Sequence, residues 1–179
     1  MSAVAWAPVG QTPTDKELRQ QAGTPWPLFD RLNDEYALTV DACAVGHNAK
    51  LPKFWSPEDD GLVQAWEKHR VWCNPPYDFI DPWTARGLRS CLWGGFSVFL
   101  LPARTGRPWW FEHVRRAEVH WLIGRIQHIE PPGVEYSQPS GFSAVVVFDP
   151  ATLDRGVVRY RHAESGEYIS SLSGGEVVG

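Results

Sequence analysis

The chain has 179 residues, 43% of them hydrophobic and 21% charged, a length that fills one core and leaves little room for a second lobe. Ten Trp, eight Phe and five Tyr exclude general disorder, and three Cys (Cys43, Cys73, Cys91) without paired CxxC spacing fit reduced thiols in the cytosol better than a disulfide framework or zinc cage. The net charge of −4 argues against a uniformly basic nucleic-acid binder, the N-terminus lacks a secretory pattern, and the longest apolar run, Phe96 to Pro102, is too short for a membrane span.

Thr14-Asp-Lys-Glu17 has the form of a capping box opening a short helix that stops at Gly23. A second helix is expected from Pro27, with Leu28, Phe29 and Leu32 on one face. Tyr36 to Val40 reads as a buried strand that delivers Asp41 at its carboxyl end. Ser56-Pro-Glu-Asp59 reads as another helix start, with Leu62, Val63 and Trp66 as its apolar stripe. Arg70 to Cys73 is a short strand running into Asn74-Pro75-Pro76-Tyr77, Asp81-Pro82 opens a helix through Leu92, and Phe96 to Leu101 is a strongly apolar strand. Beyond Glu118, residues 119–123, 125–129 and 143–148 look like strands without intervening helices. The expected architecture is α/β, with a mainly parallel sheet and antiparallel edge strands. Residues 1–23 are read as an extension, 24–150 as the domain, and 151–179 as a tail able to form a hairpin about Glu164-Ser-Gly166.

Charge is distributed unevenly along this chain. Residues 1–83 carry seven Lys/Arg against twelve Asp/Glu, residues 84–128 seven Arg against two Glu, and residues 129–179 three Arg against seven Asp/Glu. The basic middle stretch interleaves Arg86, Arg89, Arg104, Arg107, Arg115, Arg116 and Arg125 with Trp109, Trp110 and three His. It reads either as a nucleic-acid face or as an Arg-rich solvated surface.

In α/β sheets ligands gather beyond the carboxyl ends of the strands, and Asp41, Asn74 and Pro102-Ala-Arg-Thr105 all fall there. Asn74-Pro-Pro-Tyr77 suits one task. A planar exocyclic amino group is a poor nucleophile because its lone pair is delocalised into the ring, and it attacks only when acceptors draw its hydrogens toward a tetrahedral arrangement. The Asn74 side-chain oxygen and the Pro75 carbonyl can be those acceptors. Two prolines stiffen the turn and remove competing donors, and Tyr77 offers a face for a planar base. No general base with a shifted pKa is required, because the proton leaves only after the nitrogen has become cationic. No metal is expected: His113, His120 and His128 share no ligand spacing with carboxylates. The bland alternative for the tetrapeptide is a proline-rich turn.

Several stretches in order resemble the phage-type DNA N6-adenine methyltransferases of the Dam family, over about residues 24 to 148. They are Thr24-Pro25 with Leu28, Phe29 and Leu32; Leu38-Thr-Val-Asp41-Ala-Cys-Ala44 with Asn48-Ala-Lys50; Asp60-Gly-Leu62 with Trp66; Val71 to Tyr77; Leu100 to Thr105; and Gly124-Arg-Ile126. Any one is weak, and six in order are strong. The resemblance implies a Rossmann-like methyltransferase fold, S-adenosyl-L-methionine as methyl donor, and adenine flipped from double-stranded DNA as acceptor. It implies catalytic roles for Asn74, Pro75, Pro76 and Tyr77, and cofactor contacts from Thr24, Pro25, Asp41, Ala42, Cys43, Asp60, Leu62 and Asn74. Asp41 can accept from the cofactor's ammonium or hydroxyl groups, or act as a loop cap. Asp60 can hold ribose hydroxyls or the adenine amino group, while Asp59 fits better as the partner of Ser56.

Arg104, Thr105, Arg107, Arg115 and Arg116 are the DNA-contact candidates. Rival readings keep the chemistry on cytosine N4 or a protein glutamine amide, or keep only the fold in a catalytically silent DNA-binding phage protein. A phage or prophage enzyme acting in the bacterial cytoplasm, as monomer or homodimer, completes the expectation.

Overall fold

The computed structural model describes residues 14, 18, 20–133 and 141–169. Most of the capping-box helix, part of the loop at 130–142 and the Ser-Gly-Gly terminus lie outside the described residues.

Helix α1, Trp26–Tyr36, carries Pro27 in its first turn and buries Leu28, Phe29 and Leu32 as one stripe. It closes at Ala37, in the left-handed region at φ 47°, where the Asn33 side chain accepts from the Leu38 N–H. Closing the helix uses up residues 36–38. The strand expected over 36–40 therefore shrinks to β1, Val40–Asp41.

The helix expected from Ser56 does not form. Asp59 accepts from both the Ser56 N–H and hydroxyl, at 2.8 and 2.9 Å, but Asp60 sits at φ 49° and turns the chain out of right-handed helical space. Of the expected stripe only Trp66 is fully buried, Val63 being 74% exposed. Helical geometry is confined to a 3-10 turn, Trp66–Lys68.

The remaining elements are β2 Arg70–Cys73, α2 Ile80–Leu92, β3 Phe96–Pro102, a short α3 Pro108–Glu112 followed by a second 3-10 turn Val114–Arg116, β4 Glu118–Ile123, β5 Ser143–Phe148 and β6 Val158–His162. They build a six-stranded mixed sheet in the order β1-β2-β3-β5-β4-β6. Strands β1, β2, β3, β4 and β6 point one way and β5 runs against them. This corrects the expectation of antiparallel edges, because the antiparallel strand lies inside, between β3 and β4. All six β5 residues are buried, and such an apolar strand at an edge would expose an unpaired backbone ladder. The outer position goes to β6, four of whose five residues, Arg161 excepted, face solvent. Residues 125–129 are not a strand either: only Ile129 pairs, in an isolated bridge with Gly23.

The sheet has a core on each face. Leu28, Phe29 and Leu32 of α1 pack with Trp72, Val98, Leu100, Val145 and Val147. On the other face, α2, the first 3-10 turn and α3 pack Trp66, Trp83, Trp109 and Trp110 with Val71, Phe99, Leu101 and Val146. Period-two alternation of side chains along β2, β3 and β5 divides the two sets.

Strand β6 is tied in by polar bonds. The fully buried Arg161 donates to His120 Nδ1 at 2.7 Å, Glu35 Oε2 at 2.7 Å, Gly166 O at 2.8 Å and Tyr36 Oη at 3.2 Å. His120 then presents Nε2–H to Glu118, 2.7 Å away. Burial holds its pKa down at about 4, so it is neutral at physiological pH. The chain turns back after β6, where Arg161 bridges antiparallel to Tyr168.

Candidate active site

Because β1, β2, β3 and β4 share a direction, Asp41, Asn74, Arg104 and the segment leading to His128 all leave the sheet at one edge. The antiparallel β5 begins there, with Ser143 paired to Pro102.

Asn74 follows β2 directly. Its side-chain Nδ2 donates to the Ala22 carbonyl at 3.1 Å, which fixes the amide orientation and leaves Oδ1 as a buried acceptor without a partner. Pro75 and Pro76 contribute no N–H, and the Pro76 carbonyl closes the turn by accepting from Phe79 at 2.9 Å. The Tyr77 hydroxyl is likewise buried and makes no hydrogen bond of full geometry; burial raises its pKa well above the ordinary phenol value, against the weaker opposing pull of Arg104 and the Ser143 hydroxyl. Tyr77 walls two adjoining clefts of about 440 and 420 Å³ that share Arg104. One runs on to Arg107 and Pro108, the other to Phe142 and Ser143.

Four of the orphaned atoms share one neighbourhood, while Ser90 Oγ, Ser97 Oγ and Thr152 Oγ1 are orphaned in other elements. Among the described residues the buried side-chain atoms lacking partners include Thr24 Oγ1, Asn74 Oδ1, Tyr77 Oη and His128 Nε2. Folded proteins rarely leave buried polar atoms unsatisfied, so a cluster of them marks a place where a ligand completes the bonding. The segment at Gln21–Thr24 brings this cluster together. Gly23 pairs with Ile129 through two backbone bonds of 2.9 and 2.8 Å, Ala22 holds Asn74, and Gln21 O accepts from Asn48 at 2.8 Å. Thr24 itself is buried beside the start of α1, where the Pro25 carbonyl accepts from Phe29.

Asp41 is buried, and both its oxygens are engaged by its own loop. Oδ1 accepts from Cys43 N–H at 3.3 Å and Oδ2 from Lys50 N–H at 3.0 Å. The loop-cap role foreseen as the alternative for Asp41 is thus present in the structure. Lys50 turns its ammonium onto the Trp26 ring, 3.8 Å from the centroid. The second loop lies against the first: a Cβ on Gly61 would stand 2.1 Å from the Ala42 carbonyl, so only glycine permits the approach. Asp60 and Leu62 therefore sit beside Ala42 and Cys43, with Asp60 Oδ1 accepting from Leu62 N–H at 3.2 Å. Cys43 and Cys73 are buried, and burial pushes both thiols up in pKa; they pack as small apolar side chains.

Burial also pushes the Asp41 pKa up to about 6, against the opposing pull of its two backbone bonds. The raised value means the folded state holds a proton that the unfolded chain has released. The associated stability is complete below about pH 4 and is lost as pH rises through about 6. Urea titrations of the wild type and Asp41→Ala between pH 4 and 7 should show their stability gap narrowing by roughly 2–3 kcal/mol toward neutrality. A gap that widens would show that the carboxylate is preferred in the fold.

The DNA-contact candidates divide. Arg104, Thr105, Arg107 and Arg115 are exposed, and Arg115 lies over the exposed ring of Phe111, 4.5 Å from its centroid. Arg116 is engaged elsewhere, in a two-pronged pair with Asp154 at 2.8 Å on both arms. Trp109 and Trp110 are not available for stacking on a ligand, because both are core residues, with Trp110 stacked on Trp121 at 5.5 Å.

Two contributors carry no signal in the sequence, the Gln21–Gly23 carbonyls and His128. Both reach the site through the Gly23–Ile129 bridge, a pairing across more than a hundred residues that leaves no local signature. Among the described residues no three His, Cys, Asp or Glu side chains gather as a metal site.

A family model described as DNA N-6-adenine-methyltransferase (Dam) matches residues 11–166. The chain is 29% identical over 143 residues to a DNA N-6-adenine-methyltransferase of Haemophilus phage HP1 (strain HP1c1), a match covering 76% of this chain and 83% of that protein. It is 30% identical over 114 residues to a DNA N-6-adenine-methyltransferase of Escherichia phage T1, covering 62% of this chain and 48% of that longer protein.

Proposed function

The chain belongs to the DNA N-6-adenine-methyltransferase (Dam) family, and we propose that the site around Asn74 and Tyr77 transfers a methyl group from S-adenosyl-L-methionine to adenine N6 in double-stranded DNA. The observation that carries this reading is the orphaned Asn74 Oδ1, held by the Ala22 bond at the end of a strand, beside a proline-stiffened turn and an aromatic wall. The parallel run β1-β2-β3, with Asp41 and Asn74 at its carboxyl end, supports a Rossmann-like methyltransferase arrangement of the sheet.

The residues present fit the donor. Thr24 offers a buried hydroxyl without a partner, and the two loops that meet at Gly61 bring Asp41, Ala42 and Cys43 next to Asp60 and Leu62. Each Asp41 oxygen keeps a further lone pair for an ammonium or hydroxyl. When bound, the donor supplies an electrophilic methyl carbon on a sulfonium.

The chain's own groups do the rest. Asn74 Oδ1 and the Pro75 carbonyl accept the two N6 hydrogens, so the nitrogen lone pair turns out of the ring plane toward the methyl carbon. Tyr77 holds the flipped base by its ring and keeps water from the amino group. Arg104, shared by both clefts, and the exposed Thr105, Arg107 and Arg115 face the DNA backbone.

The test is incubation of unmethylated duplex DNA with the purified protein and donor, followed by digestion to nucleosides and mass spectrometry. N6-methyladenine is expected. N4-methylcytosine in its place, or no methylated base, would overturn the reading.

The charge arrangement adds a prediction for binding. Each phosphate contact contributes roughly −0.9 to the slope of log affinity against log salt. Arg107→Ala and Arg115→Ala should each flatten that slope by about one contact and weaken all duplex sequences alike. Arg116→Ala should leave the slope in place, because its guanidinium is held by Asp154. Fluorescence anisotropy across a salt series separates these outcomes, and an unchanged slope in the Arg107→Ala, Arg115→Ala double variant removes this surface from the DNA path.

A further inference from the structure

His128 has no role in the mechanism above, yet it packs against Tyr77 and hangs on the same Gln21–Thr24 segment that holds Asn74. It lies in the irregular segment after β4. Nδ1 is 3.3 Å from the Gly23 carbonyl, and because a carbonyl only accepts, the hydrogen is on Nδ1. Nε2 therefore carries a lone pair. That nitrogen is buried and without a partner, and the imidazole meets the Tyr77 ring edge to face, with centroids 6.1 Å apart. The two side chains hang on consecutive residues of one segment, Asn74 on Ala22 and His128 on Gly23.

We propose that His128 Nε2 accepts the proton that leaves N6 after methyl transfer, an assignment that rests on the reading of the site as an adenine methyltransferase. Once the nitrogen has bonded to the methyl carbon it is cationic and still holds both hydrogens. One N–H bond breaks, and its electron pair remains on N6 as the neutral methylamino group. The proton forms a new bond to the Nε2 lone pair, and the imidazolium passes it to water when the site opens. The surroundings suit an acceptor. Burial holds the pKa of the ring below its usual value, opposed only by the Gly23 bond. The titratable group facing it is Tyr77, and the Gln21–Thr24 segment presents carbonyls and a hydroxyl without charge. The ring is neutral before the reaction and ready to accept.

The experiment is single-turnover methylation of duplex DNA between pH 5 and 8.5, read as N6-methyladenine formed, with wild type, His128→Ala and His128→Gln. The wild-type rate should fall on the acid side, with a midpoint below 6.5. Both variants should be slower by at least ~10-fold and lose that acid limb, and added imidazole should restore part of the His128→Ala rate. His128→Gln keeps a polar side chain of similar reach should the alanine variant fail to fold. Nitrogen NMR of the unloaded protein gives a readout independent of turnover, and should show the Nδ1–H tautomer with a depressed pKa. Folded variants with the wild-type rate and pH profile, a loss of rate without imidazole rescue, or the opposite tautomer would each overturn the assignment. A wild type that makes no N6-methyladenine would instead overturn the methyltransferase reading beneath it.

Discussion

Asn74→Ala is expected to lower single-turnover methylation at least ~100-fold, the scale on which removing one preorganised polar group acts, while donor affinity measured by calorimetry stays nearly unchanged. The structure explains why the two effects separate. Nδ2 of Asn74 is committed to Ala22, and Oδ1 is the unpartnered end; truncation removes an acceptor needed only where the amino group becomes tetrahedral. Asn74→Asp is the sharper companion, since a carboxylate keeps the acceptor but cannot donate to Ala22. It should retain more activity than alanine if Oδ1 carries the chemistry, and no more if the Ala22 bond carries it. Equal loss of donor binding and turnover in the alanine variant would contradict the division of roles.

Trp66→Ala should destabilise the protein by about 3–5 kcal/mol, enough to remove a large part of a typical domain's stability. Trp66 is 0% exposed, with Phe99 at 5.9 Å and Trp55 and Trp83 at 6.4 Å between ring centroids. It also reaches the site, because its indole N–H donates to the Gly61 carbonyl at 2.7 Å and so holds the Asp60–Leu62 loop against Ala42. Trp66→Phe keeps most of the packing but strands that carbonyl, at a cost of about 1–3 kcal/mol. Urea unfolding gives the stabilities and calorimetry the donor affinity. The phenylalanine variant should lose donor affinity in excess of its modest instability; a variant that binds the donor like wild type would uncouple the indole from the loop.

Local signals carried much of the fold. Pro27 and the Leu28, Phe29, Leu32 stripe mark α1, and the apolar runs at 96–102 and 143–148 mark strands buried along their whole length. In each case the periodicity or run length lies within the element itself. The fold departs from its local signals where a single residue or a distant partner decides the outcome. Asp60, at φ 49°, ended a helix that the Ser56–Asp59 pair had every local reason to start. The segment 125–129, with Ile126 and Ile129 as its apolar residues, had no strand to join, so Ile129 bridges Gly23 alone.

The site shows the same partition. Asn74-Pro-Pro-Tyr77 could be read as chemistry from the sequence because acceptor, stiffener and aromatic face are contiguous and follow an evident strand. By itself, the sequence determined which residues carry acceptors and charge and that they fall at strand ends. Only the tertiary structure decided which of those groups are already engaged. Arg116 is held by Asp154 and the Asp41 oxygens by their own loop, whereas Asn74 Oδ1, Tyr77 Oη, Thr24 Oγ1 and His128 Nε2 are left buried without partners. The reason is physical: whether a polar group is satisfied depends on donors and acceptors brought near by long-range strand pairing. Gly23 meeting Ile129 across more than a hundred residues is such a contact, and no local stretch of the chain encodes it.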